Sequence, residues 1–202
     1  MGEKNDLARL REECRAFFSR LWAAEQKPLV FGEGLEKEPP LMLIGEAPGQ
    51  QEALQGKPFV GKAGQNLSAF LQVLGLRREE IYISNVVKIR PTKPGKRGEV
   101  NRPPTREEIA LFSPWLMREI ALVRPHALVT LGNVALHAFV PASKTIGDCH
   151  GTWQQVVAAP PEGAALTLPL FALYHPASVI YNRALSETYP QDLRSLAASL
   201  RV

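Results

Sequence analysis

Leu41-Met42-Leu43-Ile44-Gly45-Glu46-Ala47-Pro48-Gly49 passes from four apolar residues directly into a turn of glycine and proline. An apolar run this short, closed by turn residues, reads as a strand buried on both faces. Residues 81–87, 127–131 and 170–174 repeat the pattern, short, apolar and partly β-branched, and stretches of helical periodicity separate them. Together they describe a parallel sheet flanked by helices. In such a sheet the loops that leave the carboxyl ends of neighbouring strands converge on one crevice. Glu46 follows the first run, and His175, in His175-Pro176-Ala177-Ser178, follows the last. A carboxylate and an imidazole are therefore expected to face one ligand.

Residues 6–24 space Leu7, Leu10, Cys14, Phe17, Phe18, Leu21 and Trp22 by three and four, an amphipathic helix with Asp6 as its expected N-cap. Residues 63–74 form another, with Leu67, Phe70, Leu71 and Leu74 inward and Gly75 as its stop. Thr105 opens a third, with Glu108 at capping-box spacing, and residues 133–139 and 189–200 complete the set. Residues 158–163 read as an exposed turn between the last strands.

A chain of 202 residues, 45% hydrophobic, suits one substantial core, so a single domain is expected. Its net charge of +4 is mild and matters through where it sits. There is no positively charged start leading into an apolar run, and no apolar stretch approaches the ~18 residues of a membrane span. The expectation is a soluble, cytoplasmic protein. Cys14 and Cys149 are the only cysteines, too few for a disulfide framework or for a Cys-ligated zinc or iron–sulfur site. No metal or cofactor is implied.

Several residues between the strands carry candidate chemistry. The turn from Gly45 to Gly49 either merely links a strand to a helix or holds backbone amides and Glu46 against a ligand. His175, kept from helical geometry by Pro176, is either a structural histidine or a ring projected into a cleft. Phe59, in Lys57-Pro58-Phe59-Val60-Gly61, is a core residue or a platform on which a planar ligand stacks. Asn85 is a turn residue, or an amide whose donor and acceptor read one edge of a nucleobase. Lys88, Arg90, Lys93, Lys96, Arg97, Arg102 and Arg106 crowd one segment opposed before Glu107 only by Glu99. Pro and Gly forbid a regular helix there, and a mobile basic loop that meets phosphates is favoured over a merely solvated surface.

With these stretches in view, the sequence resembles the uracil-DNA glycosylase superfamily, closest to its family 4, from about Cys14 to Leu196. The matching stretches, in order, are residues 45–49 with Glu52, residues 56–64, residues 82–88, Arg124-Pro125 with Leu131-Gly132, and Tyr174-His175-Pro176. The resemblance implies an α/β fold, a three-layer α/β/α sandwich around a central four-stranded parallel sheet. It implies a monofunctional enzyme of base-excision repair that flips deoxyuridine out of DNA, hydrolyses its N-glycosidic bond and leaves an abasic site. Carried over by residue, Gly45, Ala47, Phe59, Asn85 and His175 would bind the base. Phe59 would stack on uracil, Asn85 would read its polar edge and reject cytosine, and His175 would donate to O2. Glu46 would position or activate water and offset the cationic sugar, with Glu52 as a supporting carboxylate. Ser178, Val179, Ile180 and Tyr181 would form the wedge that fills the vacated stack. The partner would be DNA containing uracil or another deaminated base, and the protein is expected to act as a monomer.

Two departures accompany the likeness. Family 4 normally carries an iron–sulfur cluster on four cysteines; here Cys14 matches the first, while Phe17, Ile89 and Phe112 stand at the other positions. Three apolar residues in place of three thiolates imply an apolar mini-core joining the N-terminal helix, the basic loop and the helix from Thr105. The family's Asp after the second carboxylate is Ala53 here, and the basic loop is longer than the usual connection. These differences leave two alternatives: a glycosylase for hypoxanthine or xanthine, and a DNA-binding protein that keeps the fold without turnover.

Overall fold

The run at 41–45 forms a central strand because its neighbours cover both of its faces. A computed structural model of the protein describes residues 3–96, 98–176, 178 and 185–200. In chain order its elements are α1 (Glu3–Leu21), β1 (Glu33–Gly34), β2 (Met42–Gly45), α2 (Gln50–Gln55), α3 (Lys62–Leu74), β3 (Tyr82–Asn85), β4 (Thr92–Gly95), β5 (Gly98–Asn101) and α4 (Arg106–Val123). They continue with β6 (Leu128–Leu131), α5 (Gly132–Leu136), α6 (Ile146–Cys149), β7 (Trp153–Ala158), β8 (Leu166–Leu173) and α7 (Leu185–Ser199). Every residue of β2, β3 and β6 is buried, and removing each large apolar side chain from water is worth about 1.5–3 kcal/mol.

The main sheet runs in the order β1-β3-β2-β6-β8-β7. β2 pairs in parallel with β3 and β6, and β6 with β8, whereas β1 and β7 add antiparallel edges. The expected sheet of four strands is thus a mixed sheet of six. Alternate side chains divide the core: Met42 and Ile44 pack in a cluster with residues of α1 and α4, and Leu41 and Leu43 in another with residues of α3 and α7. The result is helix, sheet and helix in three layers. Among the described residues no helix is long and apolar enough to cross a membrane.

The helices carry their own punctuation. Thr105 Oγ1 accepts from the Glu108 amide at 3.2 Å while Glu108 accepts from the Thr105 amide at 2.8 Å, the reciprocal capping box read from the sequence. At α1 the expectation shifts. The helix begins at Glu3, so Asp6 lies inside its first turn and pairs with Arg9 at 3.3 Å instead of capping. A carboxylate there suits the positive end of the helix dipole.

The segment expected as an irregular basic loop contains an antiparallel hairpin. β4 and β5 pair with Thr92 opposite Asn101 and Gly95 opposite Gly98. Gly98, the first residue of β5, takes a φ of +103°, which a side-chain-bearing residue rarely adopts.

Where family 4 would place cluster thiolates, the residues present hold an aromatic stack. Phe18 lies over Phe112 with ring centroids 4.3 Å apart and 17° between planes, and Trp22 sits 4.6 Å from Phe18. Cys14, Ile89 and Phe112 are buried in the same cluster. Phe17 differs from expectation: it is 39% exposed and packs edge-on against Phe18 from outside. One thiol among four positions does not fit an iron–sulfur cluster. Purified protein is expected to contain no stoichiometric iron or sulfide and no visible absorption band, by metal analysis and spectroscopy of aerobic and anaerobic preparations; stoichiometric iron would overturn the assignment.

Candidate active site

The parallel register sets Gly45 beside Asn85, and a Cβ on residue 45 would meet the Asn85 amide oxygen and, at 2.6 Å, the Phe59 ring. Only glycine lets ring and amide close together behind β2. They line a cavity of about 460 Å³ with Ala47, Glu52, Asn101 and His175. Phe59, Asn85, Ala47 and His175, expected at the site, are therefore brought together, with Gly45 packed behind two of them.

Phe59 adopts the left-handed φ of +52°, an arrangement that costs on the order of 1–3 kcal/mol and persists only where neighbours enforce it. Glu52 is one of the enforcers. Its buried carboxylate accepts from the amides of Val60 at 3.1 Å and Gly61 at 2.7 Å, and from Gly49 at 3.1 Å. One side chain thus ties the glycine–proline turn to the Phe59 loop. Arg78 is the other, donating to the carbonyls of Pro58 at 2.5 Å and Phe59 at 3.2 Å while pairing with Glu33 at 2.8 Å. A Cβ at Gly64 would strike the Phe59 carbonyl. Nothing local in the sequence marks Arg78, whose partners are distant along the chain.

Asn85, 3% exposed, ends β3 on a buried polar network. Lys88 donates from Nζ to the Asn85 carbonyl at 2.8 Å, to Ser84 Oγ at 2.6 Å and to Glu119 at 2.6 Å. Glu119 also accepts from the Tyr82 and Ser84 hydroxyls at 2.9 and 2.8 Å and from the Gly32 amide at 3.3 Å. Burial pushes its carboxyl up, but the Lys88 ammonium and these donors outweigh that and hold it below the usual carboxylate range. Lys88, expected to contact DNA, is 2% exposed and cannot reach a phosphate. Its charge is spent inside, because Glu119 on α4 offers a buried partner.

Glu46 lines a second cavity of about 320 Å³ with Ala47, Gly49, Asn101, Arg102, His175 and Ser178. Burial raises the Glu46 carboxyl above its usual range and lowers the His175 imidazole below its own. The cleft therefore holds a carboxyl that burial makes less acidic and an imidazole that burial makes less basic. Such a pair can polarise water on one side of a bond and donate to a leaving group on the other.

Of the remaining basic residues, Lys93 and Lys96 are exposed on the hairpin. Arg90 donates to Asn101 Oδ1 at 2.7 Å, and Arg102 makes two bonds of 2.7 Å to Glu108. Exposed Ser178 donates its amide to the His175 carbonyl at 2.8 Å. Arg97, Val179 and Ile180, with Tyr181, lie outside the described residues. Among the described residues no group of three His, Cys, Asp or Glu could hold a metal ion.

Residues 31–200 match the family model described as the Uracil DNA glycosylase superfamily. A type-4 uracil-DNA glycosylase of Saccharolobus solfataricus is 36% identical over 189 residues, covering 90% of this chain and 80% of that protein. Its counterpart in Archaeoglobus fulgidus is 37% identical over 169 residues, 82% of this chain and 78% of the relative. A type-5 uracil-DNA glycosylase of Pyrobaculum aerophilum is 33% identical over 177 residues, 78% and 71% of the two chains. With most of its length matched in each comparison, this chain belongs to the uracil DNA glycosylase superfamily.

Proposed function

We propose that this protein is a monofunctional uracil-DNA glycosylase that hydrolyses the N-glycosidic bond of deoxyuridine flipped from DNA. The observation that carries the reading is the shared wall between two cavities: one holds Phe59 and Asn85, the other Glu46, and His175 lines both. Uracil stacks on Phe59, and the Asn85 amide meets its polar edge, matching a donor and an acceptor that cytosine presents in a different order. As the bond from C1′ to the base breaks, its electron pair leaves with uracil and charge builds on O2. The neutral His175 ring donates to that oxygen, an interaction stronger in the transition state than before it. Glu46 orients the water that adds to C1′ and offsets the positive charge spread over the sugar. Water supplies the hydroxyl and the departing base gains a proton, leaving an abasic site.

The test is incubation with single-stranded and duplex oligonucleotides bearing one uracil, followed by alkali. Scission only at uracil supports the reading; scission only at hypoxanthine or xanthine would replace the substrate, and binding with no scission would replace enzyme by binding protein. We further propose that the chain is one catalytic domain acting as a monomer in the cytoplasm, a reducing setting in keeping with its two free, buried thiols.

Protonation supplies a sharper check. Activity is expected to rise with pH through an apparent value above the 4.5 of an ordinary Glu, as Glu46 ionises. It should then hold level through and beyond 6.5, because His175 is already neutral there. A profile that collapses above 6.5 would contradict the neutral donor.

The exposed hairpin lysines are assigned to the phosphate backbone. Replacing Lys93 and Lys96 together with Gln is expected to lower the slope of log affinity against log salt by about 2 for duplex DNA, roughly 1 per cation. An unchanged slope would make the hairpin tip a bystander.

A further inference from the structure

Alternate residues of a strand turn their backbone groups to opposite neighbours. In β3 the amides of Tyr82 and Val86 donate to the carbonyls of Leu41 and Gly45 on the β2 side, at 3.0 and 2.9 Å, so Asn85, one step out of that alternation, faces the other way. On that side β1 pairs only with Tyr82 and Ile83 and stops short of it. The carbonyl of Asn85, a residue 3% exposed, would there be an acceptor shut off from both strand and water. Lys88 fills the gap. The Val30 amide fixes the Lys88 carbonyl at 2.7 Å, and Nζ reaches back three residues to the Asn85 carbonyl at 2.8 Å. The peptide group between Asn85 and Val86 is thereby held at both ends, its carbonyl by Lys88 and its amide by Gly45.

Packing does not require a charged residue at this place. A buried ion pair can often be exchanged for two apolar side chains of similar volume without loss of stability, whereas no apolar chain can donate to a carbonyl. Ser84 Oγ and Glu119 each accept from the same Nζ at 2.6 Å, so the three donors of the ammonium are all engaged and its position is fixed. Glu119 is itself held by the Tyr82 and Ser84 hydroxyls and the Gly32 amide. On the glycosylase reading above, the Asn85 amide must offer its donor and acceptor to uracil in one order and at one depth. The peptide that Lys88 holds sets the direction from which that amide projects.

We propose that Lys88 is a positioning residue for base recognition: its ammonium, fixed by Glu119 and Ser84, clamps the Asn85 carbonyl and so aims the Asn85 amide at the edge of uracil. Lys88 acts through Asn85 alone and, buried as it is, touches neither base nor phosphate.

The experiment pairs Lys88→Met with Glu119→Met, so that no buried charge is left alone, and makes the pair both in wild type and in Asn85→Ala. Thermal melts confirm the fold, single-turnover release is read on an oligonucleotide with one uracil, and affinity for undamaged duplex is read by fluorescence anisotropy. The side-chain NH2 signals of Asn85 in 1H–15N spectra, assigned by their absence in Asn85→Ala, report on the amide directly. In the wild-type background the Met pair is expected to slow release roughly tenfold or more. It should cost nothing further once Asn85 is already Ala, because no amide remains to be aimed. Affinity for undamaged duplex should be unchanged, and the Asn85 amide signals should move and lose order in 15N relaxation. A wild-type rate, unmoved amide signals, or an equal loss in both backgrounds would each overturn the clamp. Absence of uracil release by wild type would overturn the glycosylase reading separately, and the amide signals would still decide whether Lys88 holds Asn85.

Discussion

His175→Ala is expected to slow single-turnover release of uracil by about 10²–10³-fold, the usual scale for removing one preorganised donor at a site of developing charge. The loss should fall on the rate of the chemical step and hardly on substrate affinity, because the ring meets a carbonyl in the ground state and an anion in the transition state. Burial lowers the basicity of the ring, which suits the neutral donor proposed for it. Glu46→Gln, which keeps shape and removes charge, should cost a similar order. It should also erase the acid limb of the pH profile, since the residue that titrates is gone. A His175→Ala loss smaller than about tenfold, or one confined to binding, would remove the imidazole from the reaction.

Lys88→Met should be the most damaging change to stability. It leaves Glu119 buried without its cation, and breaking such a pair costs about 3–5 kcal/mol. For a domain of this size that lowers the melting temperature by roughly 6–20 °C. Lys88→Met combined with Glu119→Met should recover most of the loss, because two apolar groups need no partner. The pH dependence should invert. In wild type the folded Glu119 carboxyl is held below its ordinary value, so its contribution is present near neutrality and is lost as pH falls through that lowered value. Alone in the core its value is raised above that of the unfolded chain, and the single variant should gain stability as pH falls toward the unfolded value. Melts over an acidic pH series, with wild type and the double variant as references, decide it. A single variant melting within about 2 °C of wild type would show that the pair is not structural.

Features encoded by neighbouring residues were legible. The run into Gly45, the capping box of Thr105 and Glu108, and the placement of Glu46, Phe59, Asn85 and His175 all depend on short spacing or on strands ending at one edge. The edge strands were not. β1 is two residues long, and β7 presents Gln154 and Gln155 at its start, so neither shows the apolar run that marks a central strand. Lys88 sits among cations that face water, and its turning inward depends on Glu119, which lies a whole helix away. Arg78 escaped for the same reason: it acts on a loop its own segment does not adjoin. The hairpin was hidden by composition, since Pro, Gly and Lys read as an irregular loop until the pairing of Thr92 with Asn101 and of Gly95 with Gly98 is seen.

The stacked rings of Phe18 and Phe112 bear on more than packing. Superoxide and peroxide destroy metal–sulfur centres, whereas the one thiol at that corner, Cys14, is pushed by burial up to about 12 and so is kept from the thiolate form that oxidants attack. That corner of the scaffold is therefore held by the packing of rings and aliphatic chains, which calls on neither metal nor thiolate.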